Sequence, residues 1–246
     1  MSAEENEQVL VTRLVRRTVV AENTMAFEFE KPEEWKFKAG QFVEVTLIDP
    51  PETDFEGASR PLSIASAPDE PHILLATRMR DSAFKRVLKS LPMNAQVRIE
   101  GPLGNFVLHN DPSRHAVLIS GGIGITPVRS IVMDAAHQKL PHRIFLFYAN
   151  RRPQDAPFLD EIRSLAEEND NFTFVPIITG TALPDQPWKG ETGRITGDLI
   201  RKYAGDPLTA VYYLCGPVGM VSTLRESLRQ AGIACTDIRS EEFAGY

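Results

Sequence analysis

Cysteine is almost absent from this chain, with Cys215 and Cys235 the only two in 246 residues. Neither belongs to a C-x-x-C spacing, and two thiolates fall short of the about four ligands that a structural zinc or an iron–sulfur cluster needs. No stretch reaches the ~18 consecutive apolar residues of a membrane-spanning helix. Basic residues are not in excess: 27 Lys and Arg stand against 33 Asp and Glu, a net charge of −6, which argues against a nucleic-acid polymer as the main partner. The five histidines, His72, His109, His115, His137 and His142, show no metal-ligand spacing, so no metal site is expected. Internal repeats and low-complexity tracts are missing too. The stretch Met1–Glu7 is acidic where a signal peptide would be basic and then apolar, and a cytoplasmic location is expected.

What is present is the composition of a soluble globular protein, 42% hydrophobic and 24% charged, at a length that favours two domains. The first half alternates apolar and polar residues over short stretches such as 26–30 and 43–47, as half-buried antiparallel strands do, and 73–77 and 97–99 add two more. Turn signals fall at Lys31-Pro32, Ala39-Gly40, Asp49-Pro50-Pro51 and Gly101-Pro102-Leu103-Gly104. This spacing predicts a closed or nearly closed barrel. It is interrupted by one helix with Phe84, Val87, Leu88 and Leu91 on its apolar face, Ser82 as cap and Pro92 as stop. After Asn110–Ser113 the rhythm changes to strands alternating with helices. Strands are predicted at 116–120, 144–149, 172–178, 211–214 and 236–239, with a polar excursion through Pro184, Trp188 and Gly193. That alternation implies a parallel sheet covered on both faces, whose ligands bind beyond the carboxyl ends of its strands.

Three motifs stand at those strand ends. Gly121-Gly122-Ile123-Gly124 follows the apolar run 116–119 and precedes a helix expected over 127–138, with Thr126 placed to cap and Pro127 at its first position. Strand, glycine turn and helix start make a ready anion site, although the spacing is G-G-x-G-x-x-P and not G-x-G-x-x-G. Asn150-Arg151-Arg152 and Cys215-Gly216-Pro217 end two further strands. In the first half, Arg78 and Arg80 flank the start of the helix near Ser82, where paired guanidinium groups and free helix N–H groups suit a pyrophosphate. Cys215 shows no base partner that would make it a nucleophile.

Together these residues resemble the ferredoxin-NADP reductase superfamily. The carriers are Arg60-Pro61-Leu62-Ser63, read as R-P-x-S, then G-P-x-G at Gly101–Gly104, G-G-x-G-x-x-P at Gly121–Pro127 and C-G-P-x-x-M at Cys215–Met220, in that order along nearly the whole chain. The resemblance implies an antiparallel Greek-key β-barrel that binds FAD over residues 1–110, followed by an α/β parallel-sheet domain that binds NAD(P)H over residues 111–246. It implies that Arg60 pairs with the FAD pyrophosphate, Ser63 bonds near the reactive flavin nitrogen, and Ile64, Ala65 and Ser66 meet the ring edge through backbone groups. Leu62 stands where many members stack an aromatic ring on the flavin, and Ser82 adds a phosphate contact. Gly121, Gly122, Gly124 and Thr126 line the dinucleotide. Cys215, Gly216 and Pro217 border the nicotinamide, and Phe243, or else Tyr246, covers the flavin face. Ser63, Cys215 and Phe243 are thus the expected catalytic residues.

The expected activity is hydride transfer from NADH or NADPH to flavin and electron release to a ferredoxin or similar protein. Thr179-Gly180-Thr181 lacks the serine–arginine pair of plant-type members, which tilts the reading toward NADH, while Arg151 and Arg152 suit a 2′-phosphate. Leu62 keeps free flavin open as a diffusing substrate. An electron-transfer subunit of a larger complex and a non-catalytic nucleotide-binding module are the other readings.

Overall fold

The computed structural model describes residues 8–180 and 188–243. Expectations resting on Met1–Glu7, Thr181, Pro184 and Tyr246 lie outside them. The first half is a six-stranded antiparallel sheet in the order β4-β3-β6-β1-β2-β5. Its strands are β1 (Gln8–Ala21), β2 (Thr24–Glu30), β3 (Phe42–Leu47), β4 (Ser59–Ser63), β5 (His72–Arg78) and β6 (Gln96–Leu103). A bridge between Ile64 and Leu75 joins the edge formed by β4 to that formed by β5, and the sheet closes into a barrel. β1 is longer than the expected short strands because it serves two partners: residues 8–13 pair with β6 and residues 14–21 with β2, with an irregular register near Leu14. Gly101-Pro102-Leu103 is a continuation of β6 and not a turn, since Leu103 still pairs with Phe42.

The alternating strands put Phe27, Phe29, Val43, Val45, Val97 and Ile99 inside the barrel, and helix α1 (Ala83–Ser90) adds Phe84, Val87 and Leu88 to the same core. Burying each such side chain contributes roughly 1.5–3 kcal/mol. Ser82 caps α1 as expected, its Oγ accepting the Lys85 N–H.

The second half is a parallel sheet in the order β10-β9-β8-β7-β11-β12. Its strands are β7 (Ala116–Gly121), β8 (Ile144–Asn150), β9 (Phe172–Ile178), β10 (Glu191–Thr192), β11 (Val211–Pro217) and β12 (Ile238–Phe243). The helices are α2 (Ile125–His137), α3 (Leu159–Glu168), α4 (Gly197–Ala204) and α5 (Val218–Gln230). The run Ala116–Ile119 is apolar throughout because both faces are covered: Ala116 and Leu118 pack in the core with α2 and α3, Val117 and Ile119 in the core with α4 and α5. The last strand lies later than expected, since Cys235–Asp237 forms a 3-10 turn and Glu241 to Phe243 belong to β12.

Candidate functional site at the strand switch

Along the chain the parallel sheet grows from β7 to β8 to β9, and β11 then returns to the other side of β7. The crevice at such a reversal is where open α/β sheets bind ligands. Here it lies between the turn that follows β7 and the last residues of β11, Cys215–Pro217, which extend that strand beyond the expected 211–214 and run directly into α5. Gly122–Gly124 form a 3-10 turn that leads directly into α2 at Ile125. Thr126 is therefore not the helix cap: its buried hydroxyl donates to the Ile123 carbonyl at 3.0 Å, and Pro127 sits inside the first turn. Neither α2 nor α5 has a side-chain cap; the Ile125 N–H that opens α2 is bonded to the carbonyls of Gly122 and Ile123 in the 3-10 turn before it.

The glycines do more for this junction than admit a ligand. A Cβ on Gly124 would lie 2.5 Å from the Cys215 carbonyl oxygen, and one on Gly121 would lie 2.8 Å from the Met220 sulfur. Gly216, at φ +152°, would bring a Cβ to 3.1 Å from the Gly121 amide. The two motifs pack on each other, and Gly122, at φ +53°, supplies the backbone bend that makes this possible.

A cavity of about 1110 Å³ opens at this point and reaches the barrel. Gly121, Gly122, Pro217, Gly219 and Met220 line it from the sheet, Glu22, Asn23, Arg78 and Arg80 from the barrel, and Arg151 and Arg194 from the strand ends beyond β8 and β10. A Cβ on Gly219, in the first turn of α5, would meet open space. The α5 start at Gly219 and the arginines of the lining match the needs of a dinucleotide diphosphate. Arg152 is taken out of that set, because it pairs with Glu22 at 2.8 Å and Asp155 at 2.7 Å and so ties β8 to the barrel. Arg194 was not singled out from the sequence, where it lies in a polar stretch without a motif.

On the barrel side, Arg60 is engaged by its own loop. Its guanidinium meets Glu56 at 2.7 Å and Asp54 at 3.3 Å, donates to the carbonyls of Glu56, Gly57 and Ser59, and lies 5.2 Å from the centre of the Phe84 ring. Asp54 also accepts the Ala83 N–H at the start of α1, at 2.9 Å. Desolvation pushes this carboxyl up, but the N–H groups of Ala83 and Glu56 and the Arg60 fork outweigh it and hold its pKa below the ordinary value. A carboxylate thus sits across the guanidinium and helix start that the resemblance reserves for pyrophosphate, so this donor set fits an anion.

Ile64, Ala65 and Ser66 are buried, and much of their backbone is spoken for. The N–H groups of Ile64 and Ala65 donate to the carbonyls of Gln41 and Leu74, while the Ser66 hydroxyl accepts the Leu74 N–H. Leu62 packs against the barrel core. Ser63, also buried, pairs through the backbone with Phe42, whose ring lies against Gly104.

Gly104 leads across to the sheet domain, since a Cβ there would lie 3.8 Å from the Glu241 carboxylate. Glu241 is the register partner of Cys215, and Phe243 that of Pro217. The barrel end bearing Ser63 and the β11–β12 end bearing Cys215 and Phe243 therefore meet through Phe42, Gly104 and Glu241. Burial pushes the Glu241 carboxyl up to about 7. Burial also raises the Cys215 thiol well above its ordinary value, with the Glu241 charge adding to it, which keeps the thiol protonated in the core. Phe243 packs half-buried against the same core. Glu241 lay in what looked like a polar tail, and only the pairing of β12 with β11 brings it to the junction.

A closed antiparallel barrel followed by a parallel α/β sheet, with an arginine-lined cavity between them at the strand switch, is a two-domain architecture whose crevice suits a ligand carrying phosphate groups. The sequence matches the FAD-binding domain family over residues 9–126 and the oxidoreductase NAD-binding domain family over residues 118–226. Residues 9–126 and 118–226 thus match those two domain families, in the order that the motifs of the sequence imply.

Among its relatives is reductase component 2 of the terephthalate 1,2-dioxygenase of Comamonas sp, 28% identical over 211 residues, which cover 85% of this chain and 60% of that protein. Another belongs to the Na(+)-translocating NADH-quinone reductase of Idiomarina loihiensis, one of whose polypeptides is 30% identical over 186 residues, covering 74% and 44%. The chain thus spans roughly half the length of these relatives. The fold is shared with an Amycolatopsis cytochrome P450 reductase at a TM-score of 0.83 and 24% identity, covering 98% of this chain and 72% of that one. It is also shared with a Neisseria gonorrhoeae ferredoxin NADP+ reductase solved with FAD and NADP, at 0.79 and 19% identity, covering 95% and 98%. Among the described residues no helix is long and apolar enough to cross a membrane, and no group of acidic, histidine or cysteine side chains could hold a metal.

Proposed function

We propose that the protein is an FAD-dependent NAD(P)H reductase that delivers electrons to a separate redox protein of ferredoxin or oxygenase-component type. The observation that carries this reading is the cavity between barrel and sheet, whose lining combines the glycine turn at Gly121 and Gly122, the start of α5 and arginines from both sides. FAD and the dinucleotide, when bound, supply the hydride and electron chemistry. The protein's task is then to bind, orient and exclude water.

In this reading Arg78, Arg80 and the Ser82 end of α1 hold the flavin diphosphate, joined by Arg60 once Asp54 releases it. Gly121, Gly122 and Gly219 let backbone approach the dinucleotide diphosphate, and Thr126 and Gly124 keep that turn in shape. Cys215, Gly216 and Pro217 border the nicotinamide, Ser63 stands at the flavin edge, and Phe243 covers the flavin until nicotinamide arrives. Glu241 holds a proton at its carboxylate near neutral pH. Ile64, Ala65 and Ser66 support the flavin from behind. Arg151, with Arg194, faces the adenosine end. The domain boundary falls near residue 110, between the end of β6 at Leu103 and the start of β7 at Ala116.

Relatives named as reductase components of a terephthalate dioxygenase and of a glycine betaine monooxygenase support a protein acceptor. The unpaired Cys215 and Cys235 support a reducing, cytoplasmic setting. A second reading, free flavin as a diffusing substrate, is favoured by the engaged Arg60 and by Leu62 in place of an aromatic. The test is to purify the protein, record its flavin content, and mix it without oxygen with NADH and with NADPH, then with ferredoxin, free FAD and a dye as acceptors. Bleaching of bound flavin followed by electron delivery to a protein acceptor is expected. A protein that neither retains FAD nor reduces it when supplied would overturn the reading.

A further inference from the structure

One guanidinium joins the two halves at the site, and it belongs to Arg129 on α2. Its side chain is 4% exposed. All five N–H groups have acceptors: Nε and Nη2 donate to Glu161 of α3 at 2.8 and 2.5 Å, Nη1 and Nη2 to Glu70 of the barrel at 2.9 and 3.1 Å, and Nη1 to the Ala65 carbonyl at 2.6 Å. The Phe158 ring lies 5.3 Å away and closes one face. A buried cation so completely paired escapes the cost of a stranded charge, and only arginine has the planar five-donor fork that these acceptors require.

The adjacent residue repeats the connection. The Ser130 hydroxyl donates to the Ser66 carbonyl at 2.6 Å and accepts the Gly40 N–H at 3.3 Å. Two turns further along, His137 meets Asp69 at 2.9 Å. One helix therefore binds residues 65, 66, 69 and 70 of the barrel along its side, while its first residue, Ile125, follows directly from the Gly122–Gly124 turn.

We infer that Arg129, seconded by Ser130, is the positioning residue that sets the flavin-edge segment 64–70 at a defined distance from the dinucleotide turn. This rests on the reading of the site given above. With its donors engaged by Glu161, Glu70 and Ala65, Arg129 acts through the Ala65 carbonyl and Glu70. Hydride transfer tolerates little error in approach, and a displacement of about 1 Å costs on the order of a hundredfold in rate.

The test compares the FAD-loaded wild type with Arg129→Lys, which keeps the charge but has at most three donors. The limiting rate of flavin reduction in a single turnover with NADH or NADPH is expected to fall about tenfold to a hundredfold. Affinities for FAD and for the dinucleotide, titrated separately, are expected to hold. Independently of turnover, amide hydrogen exchange at residues 64–70 is expected to quicken relative to the rest of the barrel in the cofactor-free variant. Ser130→Ala is expected to show the same pattern more weakly, and it carries the test if Arg129→Lys does not fold.

Lower thermal stability with an unchanged limiting rate and unchanged local exchange would reduce Arg129 to a structural brace and overturn the inference. A wild-type protein that binds FAD but is not reduced by either dinucleotide would instead overturn the functional reading. The exchange result would still decide whether Arg129 holds the segment.

Discussion

Gly216 lies so close to Gly121 that a Cβ on it would stand 3.1 Å from both the amide nitrogen and the carbonyl oxygen of Gly121. The glycine motifs that end β7 and β11 therefore need one another before they meet any ligand. Contact between the two motifs, more than the spacing inside either, shapes the crevice where the sheet reverses.

Gly124 is less replaceable than Gly121, because its added Cβ would fall 2.5 Å from the Cys215 carbonyl, a backbone atom, whereas at Gly121 the nearest obstacle is the flexible Met220 side chain, with the Pro217 ring at 3.1 Å. Gly124→Ala is expected to destabilise the fold by about 1–3 kcal/mol and to weaken dinucleotide binding, with Gly121→Ala milder in both. Thermal unfolding and NADH titration of the two variants check this order; equal effects at the two positions would contradict it. FAD binding is expected to survive both changes.

Asp54 engages Arg60 and the Ala83 N–H, and under the function proposed above FAD displaces it from both. Asp54→Asn is expected to tighten FAD binding on the order of tenfold, about the value of one charge-assisted hydrogen bond. Arg60→Ala is expected to weaken it. Quenching of FAD fluorescence on titration measures both, and an Asp54→Asn protein with unchanged or weaker affinity would count against the competition.

Glu241 makes stability depend on pH in a direction opposite to that of a salt-bridged carboxylate. Its folded pKa of about 7 stands above the ordinary 4.5, so the folded state binds the proton more tightly. Stability is therefore fully retained below about 4.5 and falls as pH rises through about 7. Glu241→Gln is expected to flatten this part of the curve, seen as a narrowing gap in unfolding temperature between variant and wild type as the medium is acidified from pH 8 to pH 5.

Arg151 and Arg194 line the cavity, and the function proposed above puts the adenosine phosphate beside them. Replacing either with Ala is expected to weaken NADPH about tenfold and NADH much less, since only the former carries the extra phosphate. Equal losses for both dinucleotides would move these arginines to the shared diphosphate.

Much of the fold is legible in the chain. Strict alternation at 26–30 and 43–47 marks the barrel strands, the doubly covered run 116–119 marks a central parallel strand, and Ser82 marks the start of α1; each is a relation among near neighbours. Boundaries were less legible. β1 reads apolar along much of its length, yet Val9, Val11, Val15 and Val19 face outward, because a strand shared between two partners turns around a corner. Thr126 looked like a cap because its residue type suits one, but the 3-10 turn at Gly122 starts the helical path earlier.

The sequence by itself determined the two halves, the order of their motifs and the resemblance they carry, since periodicity, turn chemistry and motif spacing are written in adjacent residues. Tertiary structure alone decided that Asp54 holds Arg60 against α1, that Glu241 rises to the junction beside Cys215, and that Arg129 reaches Ala65 across 64 positions of chain. Those relations depend on strand order and barrel closure. No local preference encodes them, because they appear only when distant segments are brought together and their charges lose contact with water.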